Sequence, residues 1–337
     1  MSARLGPVRV AVVGAGSLIG GAVVEELEAR QFPAEPLHLL EDTPHLGASP
    51  ERALGDVAAF DFSSVDLAFF CGRAALSERY AARAAAQAWV IDGSAAFRSQ
   101  PEVPLAAADV NPEALETVGS RGLIALPGSA SVALATALAP LQALAALDRV
   151  EVATYHAVSG SGRHAVDELA GETVAMLSGK EARGRTFGRP IAFNVIPQVD
   201  SLEPGGASLE ERRLWEECRR LLKQPTLAIN ATAVRVPVFY GHCLAVHVAF
   251  ERPVTVADAA RALQHGQGLS LIDPSSTIGF PTPTGFAATP DKIYVGRLRA
   301  DLTRDRGLNF WLVADNVRKC AAYNAVSVAQ ILVNRSR

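Results

Sequence analysis

The chain carries a run built for close backbone approach: Gly14-Ala15-Gly16-Ser17-Leu18-Ile19-Gly20. Val8 to Val13 before it is apolar except for Arg9 and reads as a strand. Val23-Val24-Glu25-Glu26-Leu27 after it reads as a helix. Glycines at such a turn let the main chain reach a pyrophosphate, which then rests on the helix N-terminus. The spacing departs from G-x-G-x-x-G, because Ile19 stands where a glycine is usual. A tight strand–helix turn that holds no ligand is the alternative use of the same residues. Leu37-His38-Leu39-Leu40 reads as the next parallel strand, and Glu41 and Asp42 follow it. A carboxylate there accepts from an adenosine ribose 2′-OH and repels a 2′-phosphate, which favours NAD over NADP. Solvated loop carboxylates are the plainer alternative.

These residues need a sheet to hold them. Asp66-Leu67-Ala68-Phe69-Phe70 and Trp89-Val90-Ile91-Asp92 read as two further strands, separated by an Ala-rich helix from Ser77 to Gln87. Strand–helix alternation at this spacing predicts a parallel doubly wound sheet. The pattern changes after Asp148. Val150 to Val158, Asn194 to Val199, Ala231 to Phe239 and Leu244 to Phe250 are strand-like, and Ala165 to Leu177 is helical. Their long separations predict an antiparallel or mixed sheet in a second domain. Asp273 to Pro290, rich in Pro, Gly, Ser and Thr, reads as a surface loop. A last helix, Val317 to Val333, is expected to return to the first domain.

Composition narrows the class. A length of 337 residues favours two domains, with 49% of residues apolar and 20% charged. The net charge of −3, without charge runs, points away from a nucleic-acid partner. Cys71, Cys218, Cys243 and Cys320 match no zinc spacing and read as reduced thiols of a cytoplasmic protein, with no metal site implied. The N-terminus has no apolar signal core. Leu123 to Leu147 carries no charge and is long enough to span a bilayer. Its Pro127, Gly128, Ser129 and Pro140 make it instead a buried strand end, a turn and a core helix, so no membrane partner is expected.

Several segments, in order along nearly the whole chain, resemble the aspartate-semialdehyde dehydrogenases. They are Asp92-Gly93-Ser94-Ala95-Ala96-Phe97-Arg98, Val103-Pro104-Leu105 with Asp109-Val110-Asn111, and Phe193-Asn194-Val195-Ile196-Pro197-Gln198. Arg235-Val236-Pro237-Val238 with Gly241-His242 follows, then Val295-Gly296-Arg297-Leu298-Arg299 with Asp301. Asp315-Asn316-Val317-Arg318-Lys319 and Asn324-Ala325-Val326 complete the series. The resemblance implies an α/β chain: a Rossmann-like NAD(P)-binding domain (1–128 with 316–337) and an α+β catalytic and dimerisation domain (129–315) like the C-terminal domain of glyceraldehyde-3-phosphate dehydrogenase. It also implies a homodimer and a reversible, phosphate-dependent oxidation of an aldehyde to an acyl phosphate. In that family a cysteine attacks the aldehyde, hydride leaves to nicotinamide, and phosphate cleaves the thioester.

Carried over residue by residue, the resemblance implies that Arg98 binds phosphate and that Arg235 binds the substrate carboxylate through its planar fork. It makes His242 the acid/base and puts Glu210, Glu211 and Arg213 on the substrate and phosphate motif, Arg213 standing for a lysine. The chain departs from the family at the chemistry. Ser129, in Leu126-Pro127-Gly128-Ser129-Ala130-Ser131, stands in the cysteine's place. His156 replaces a substrate-orienting glutamine, and Ser327 a glutamine near nicotinamide. Ser17 replaces a loop glycine, and Glu41 and Asp42 with Pro44 replace a cluster that binds the NADP 2′-phosphate. A thiol near pKa 8.5 is already a few per cent thiolate at neutral pH, whereas a serine hydroxyl is a far weaker acid. This pattern resembles the Usg-type paralogues, which keep the fold without the cysteine.

Three readings follow. One is a paralogue of weak or absent parent activity that binds NAD or NADP and a small anion, phosphate included, in a binding or regulatory role. Another is a Ser–His acyl-transfer or esterase-like enzyme, with Ser129 activated by His156 or His242. The last is NAD-linked oxidoreduction of another aldehyde. Cys243 as a substitute nucleophile is disfavoured, because neighbours on a strand face opposite ways.

Overall fold

The computed structural model describes residues 6–42, 54–273, 275–276, 279–286 and 291–335. Pro44, and the parts of the 273–290 stretch at 274, 277–278 and 287–290, lie outside the described residues. Two compact units divide the chain, Met1–Gly128 with Ala321–Arg337 and Ser129–Cys320. The crossover back to the first unit falls at Ala321, inside the segment expected to belong to that domain from residue 316.

The first unit is a six-stranded parallel sheet of β1 (Val8–Val13), β2 (Ala34–Glu41), β3 (Gly55–Asp56), β4 (Leu67–Phe70), β5 (Trp89–Asp92) and β6 (Gly122–Ala125), in the order β3-β2-β1-β4-β5-β6. Helices cover both faces, so β4 and β5 are buried along their whole length and read as unbroken apolar runs. The order reverses between β1 and β4. That reversal opens the crevice at the strands' carboxyl ends where such sheets take ligands. α1 (Leu18–Ala29) leaves β1 through the glycine run, and α2 (Ala74–Ala85) leaves β4. The C-terminal helix forms later than its pattern predicts. Arg318–Tyr323 is a π-turn, and regular helix begins only at Asn324.

The second unit is built on α3 (Ser129–Gln142), β7 (Leu147–His156), α4 (Arg163–Leu177), α5 (Leu209–Leu221), β8 (Ala228–Arg235), β9 (His242–Phe250), α6 (Val256–His265), β10 (Leu269–Leu271), α7 (Pro283–Phe286), β11 (Ile293–Ala300) and β12 (Gly307–Ala314). Its sheet runs β10-β11-β12-β9-β7-β8, with β10∥β11 and β7∥β8 and the remaining pairs antiparallel. From Val150 to the end of β7 the even positions Val150, Val152, Thr154 and His156 are buried and the odd ones between them are not. That period of two gives the sheet one covered face. The Asn194–Val199 strand does not form. Phe193 takes φ 56°, and the Asn194 side chain bonds its own neighbourhood, accepting from Val195 N–H and donating to the Pro190 carbonyl. Only Ile196 pairs, trading two main-chain hydrogen bonds with Arg235 at 3.0 and 2.8 Å.

The uncharged stretch 123–147 resolves into the end of β6, a turn and α3. Among the described residues no helix is long and apolar enough to cross a membrane. α3 is apolar all round because protein surrounds it: it packs on α5 and α6 and on β9, β11 and β12, with Leu134 and Leu138 fully buried. Deleting the Leu138 side chain leaves a cavity that a close-packed core does not refill. Leu138→Ala is expected to lower unfolding stability by about 2–5 kcal/mol, read from the urea midpoint at unchanged slope.

Candidate functional site

In the first unit the glycine run is dictated by space. Gly14 has φ +82°, and a Cβ on it would lie 2.7 Å from the Gly72 main-chain nitrogen; a Cβ on Gly20 would lie 2.1 Å from the Gly14 carbonyl oxygen. Ser17 caps α1: its Oγ accepts from Gly20 N–H at 2.9 Å and donates to the Cys71 carbonyl at 2.9 Å. Ala15 lies in the turn, its N–H on the Leu40 carbonyl at 3.3 Å. Among the described residues nothing accepts from the N–H groups of Leu18 and Ile19. Two open amides at a helix N-terminus fit a pyrophosphate. Glu41 reaches back over the turn, its Oε1 accepting from Gly16 N–H at 2.7 Å. Burial raises its pKa, the Gly16 hydrogen bond opposes that, and neighbouring Asp42 adds to it. Asp42 has Arg73 Nη2 at 4.0 Å, on a side chain 88% exposed.

Two other expected positions in this unit are now defined. Arg98 donates from Nε to the Leu126 carbonyl at 2.7 Å and from Nη2 to the Gly93 carbonyl at 2.8 Å. Ser327 lies away from the glycine turn. Its hydroxyl accepts from Arg30 Nη1 at 2.9 Å, at the C-terminal end of α1, while Arg30 stacks on Tyr323. A helix of that length separates it from the turn.

In the second unit three basic side chains form a row across neighbouring strands. Arg235 ends β8, His156 ends β7 and His242 begins β9. His156 pairs directly with Arg235, and the Tyr155–Cys243 pair puts His242 opposite His156. Residues opposite one another share a face. The two imidazole centroids are 4.5 Å apart. His156 Nε2 is 2.9 Å from Thr154 Oγ1 and 3.9 Å from Glu210 Oε1, which arrives from α5. The main chain of Ala157, the residue after β7, holds the other two members: its N–H donates to His242 Nδ1 at 3.2 Å, and its carbonyl accepts from Arg235 Nη1 at 2.7 Å. With Nδ1 accepting, the proton of neutral His242 sits on Nε2. Burial first, and Arg235 second, pull His242 down to about 3; burial, His242 and Arg235 hold His156 well below the usual imidazole value. Burial lowers Arg235 to about 10, so it stays a cation at neutral pH, with Phe187 beneath it at 5.4 Å.

Ser129 opens α3 and is half-buried. Its hydroxyl donates to the Asn316 carbonyl at 2.9 Å. The Ser129–histidine pair of the acyl-transfer alternative is not formed among the described residues. A hydroxyl has one proton, and here it goes to an amide carbonyl, which is no base. Asn316 is a positioning residue that sequence reasoning passed over, although it stood inside a quoted motif. Its side chain accepts from Gly241 N–H at 3.0 Å and exchanges hydrogen bonds with Ser159 Oγ. Glu211 serves the helix: its oxygens accept from Ser208 and Ala233 N–H at 2.6 and 2.8 Å, completing a capping box. Arg213 pairs with Asp200 at 2.7 Å. Cys243 faces the opposite side of the sheet from His242, among Tyr294 and Val313, where burial pushes its thiol up to about 12.

A 3-2-1-4-5-6 parallel sheet with a glycine turn, joined to a mixed-sheet domain bearing an Arg–His row, defines a two-domain dehydrogenase scaffold whose first unit is an NAD(P)-binding domain. The chain belongs to the semialdehyde dehydrogenase family: the family's NAD binding domain matches residues 9–118 and its dimerisation domain residues 138–319. It is 37% identical to the aspartate-semialdehyde dehydrogenase of Legionella pneumophila, over 96% of this chain and 95% of that one. It is 38% identical to the USG-1 protein homolog of Azotobacter vinelandii, covering 97% and 98% of the two chains. The crystal structure of Vibrio cholerae aspartate semialdehyde dehydrogenase II complexed with ASA superposes with a TM-score of 0.92, at 37% identity over 97% of this chain and 98% of that one.

The buried imidazoles have a pH signature. The unfolded chain takes a proton on His242 near pH 6.5, the folded chain only near about 3. Between those values the unfolded state binds more protons, so His242's contribution to stability is complete above about 6.5 and is lost as pH falls toward about 3. Denaturant unfolding from pH 7 to 4 is expected to show stability rising with pH, with a shallower slope in His242→Gln.

Proposed function

We propose that this chain is an aspartate-semialdehyde dehydrogenase-like protein of the Usg type: a homodimer that binds NAD and a small anionic substrate, and whose phosphorylating aldehyde oxidation is weak or absent. The observation that carries this reading is the Ser129 hydroxyl, committed to the Asn316 carbonyl. In the nucleophile's position stands a weak acid with no base attached, which does not generate an attacking anion at neutral pH. Similarity to both an aspartate-semialdehyde dehydrogenase and a USG-1 protein homolog supports the same assignment. The same geometry counts against Ser–His acyl transfer.

The ligand-binding parts are retained. Arg235, buried and cationic, recognises a carboxylate. His242 presents a proton on Nε2 and, being neutral, takes one on Nδ1 only by giving up its bond to Ala157 N–H. Glu210 stands beside His156 at the α5 side of the pocket. Arg98 and Arg213 are the anion-facing cations of their own units, each anchored by neighbouring acceptors. When bound, nicotinamide supplies a hydride acceptor.

Phosphate-dependent reduction of NAD and NADP with aspartate semialdehyde is the direct test, with Ser129→Ala as control. Turnover no greater than the control's is expected; turnover that disappears in the control would overturn the reading. Ser129→Cys alone is expected to fall short of full parent activity, because His156 and the acidic end of β2 also differ.

Cofactor preference follows from charge. A 2′-phosphate would enter beside Glu41 and Asp42, where exposed Arg73 offsets one charge of two. Calorimetry is expected to show NAD binding more tightly than NADP; tighter NADP binding would refute this.

A further inference from the structure

After α4 the chain runs from 179 to 192 as a strap with neither helix nor strand. Its main-chain N–H groups need acceptors from elsewhere. Two carboxylates of α4 supply them. Glu172, only 6% exposed, accepts from Gly184 N–H at 2.9 Å on Oε1, and from Ile191 and Ala192 N–H at 2.7 and 3.1 Å on Oε2. Glu168, one turn earlier, accepts from Thr186 N–H at 3.0 and 2.9 Å and from the Thr186 hydroxyl. Bonds to an ionised acceptor are the strong ones. A cleft of about 620 Å3, lined by Glu168, Glu172, Gly184 and Thr186 among others, separates α4 from this end of the strap, so hydrogen bonds and not close packing tie the two. The strap carries Phe187, which packs with Val158, Leu169 and Ile191. The Arg235 guanidinium lies over its ring at 5.4 Å. Among the described residues that guanidinium donates only from Nη1, to the Ala157 carbonyl, and its buried Nε has no partner. One hydrogen bond leaves a planar group free to turn about it. The ring beneath removes that freedom.

We propose that Glu172, assisted by Glu168, is a positioning residue for Arg235. It grips the strap at both ends of the 184–192 bend, the strap keeps Phe187 under the guanidinium, and the ring sets the plane in which the free donors point. Glu172 acts through the strap: the carboxylates whose charge bears on Arg235 directly are Glu210 and Asp200. The bend itself needs Gly184, which has φ +59° and where a Cβ would lie 2.1 Å from the Arg189 carbonyl carbon. Both oxygens of Glu172 are in use, and an amide has only one. In Glu172→Gln, whichever way the amide is set, an NH2 group faces a main-chain N–H. The inference concerns how the cation is held; its consequence for a ligand rests on the reading of Arg235 as ligand-facing.

The test uses the full-length protein labelled with 15N-arginine, without ligand. NMR reads the Arg235 Nε–H resonance, assigned by its loss in Arg235→Lys. Phe187→Leu removes the ring and is expected to displace that resonance. Glu172→Gln is expected to displace it in the same direction, and the double variant no further than Phe187→Leu alone. Phe187→Tyr, which keeps the ring, and Gly171→Ala, where a Cβ meets nothing within 4 Å, are expected to retain it. A resonance unmoved in Glu172→Gln would overturn the inference, a lowered melting temperature then marking Glu172 as an anchor of the strap alone. Full additivity in the double variant would overturn it as well. Should Glu172→Gln not fold, Glu168→Gln carries the same comparison, with a smaller displacement expected and none overturning the inference. Calorimetry with succinate tests the reading separately. Phe187→Leu and Glu172→Gln are each expected to weaken succinate about tenfold. No succinate binding by the unsubstituted protein would overturn Arg235 as ligand-facing, while the resonance alone decides the positioning.

Discussion

The main chain of one residue, Ala157, governs the Arg–His row of the second domain. Ala157 gives its N–H to His242 and its carbonyl to Arg235, across a sheet whose register already sets the two on either side of His156. Each consequence follows from that arrangement. The accepting Nδ1 decides the tautomer, and the tautomer decides that Nε2 is a donor. The Arg235 guanidinium, tied at one nitrogen, is left with donors to spend. Burial then raises what those donors are worth, since a hydrogen bond counts for more in a low dielectric and an unmet one costs more. The pairing of β8 to Ile196 fixes the arginine's main chain as well.

Ser129 is held by a main-chain acceptor in the same way. A nucleophile needs a base on the far side of its proton, and Ser129 instead faces the carbonyl of Asn316. Asn316 is itself held by Gly241 and Ser159. The histidines are occupied elsewhere, His156 with Thr154 and His242 with Ala157. The frame is shared with dehydrogenases, and what a chain does with such a frame resides in the particular side chains set on it.

At the nucleotide end a carboxylate does two things. Glu41 closes the glycine turn by accepting from Gly16, and it places negative charge at the end of β2. Main-chain amides at the start of α1 remain for a phosphate pair, so donors and negative charge sit a few residues apart.

The elements with strong periodicity were legible in the sequence. β1, β5 and the glycine turn stand where the pattern puts them, because an apolar run and a crowded turn are local facts. The ordered motifs, read as a family likeness, were enough to name Arg235 and His242. Other features were not local. The 194–199 segment looks like a strand, but Phe193 and Asn194 bend it out of the ladder. α5 and α6 were not anticipated, although α5 carries the capping box that takes up Glu211. The Ser327 hydroxyl accepts from Arg30, a partner 297 residues away in sequence. The amino-acid order by itself determined which residues could do chemistry and which fold would carry them, since residue type and local periodicity are written along the chain. Tertiary structure alone decided that Ser129 meets a carbonyl and not an imidazole, and that Ala157 joins Arg235 and His242. Those outcomes depend on strand register and on partners far away in sequence, and a hydrogen bond is decided by tenths of an ångström.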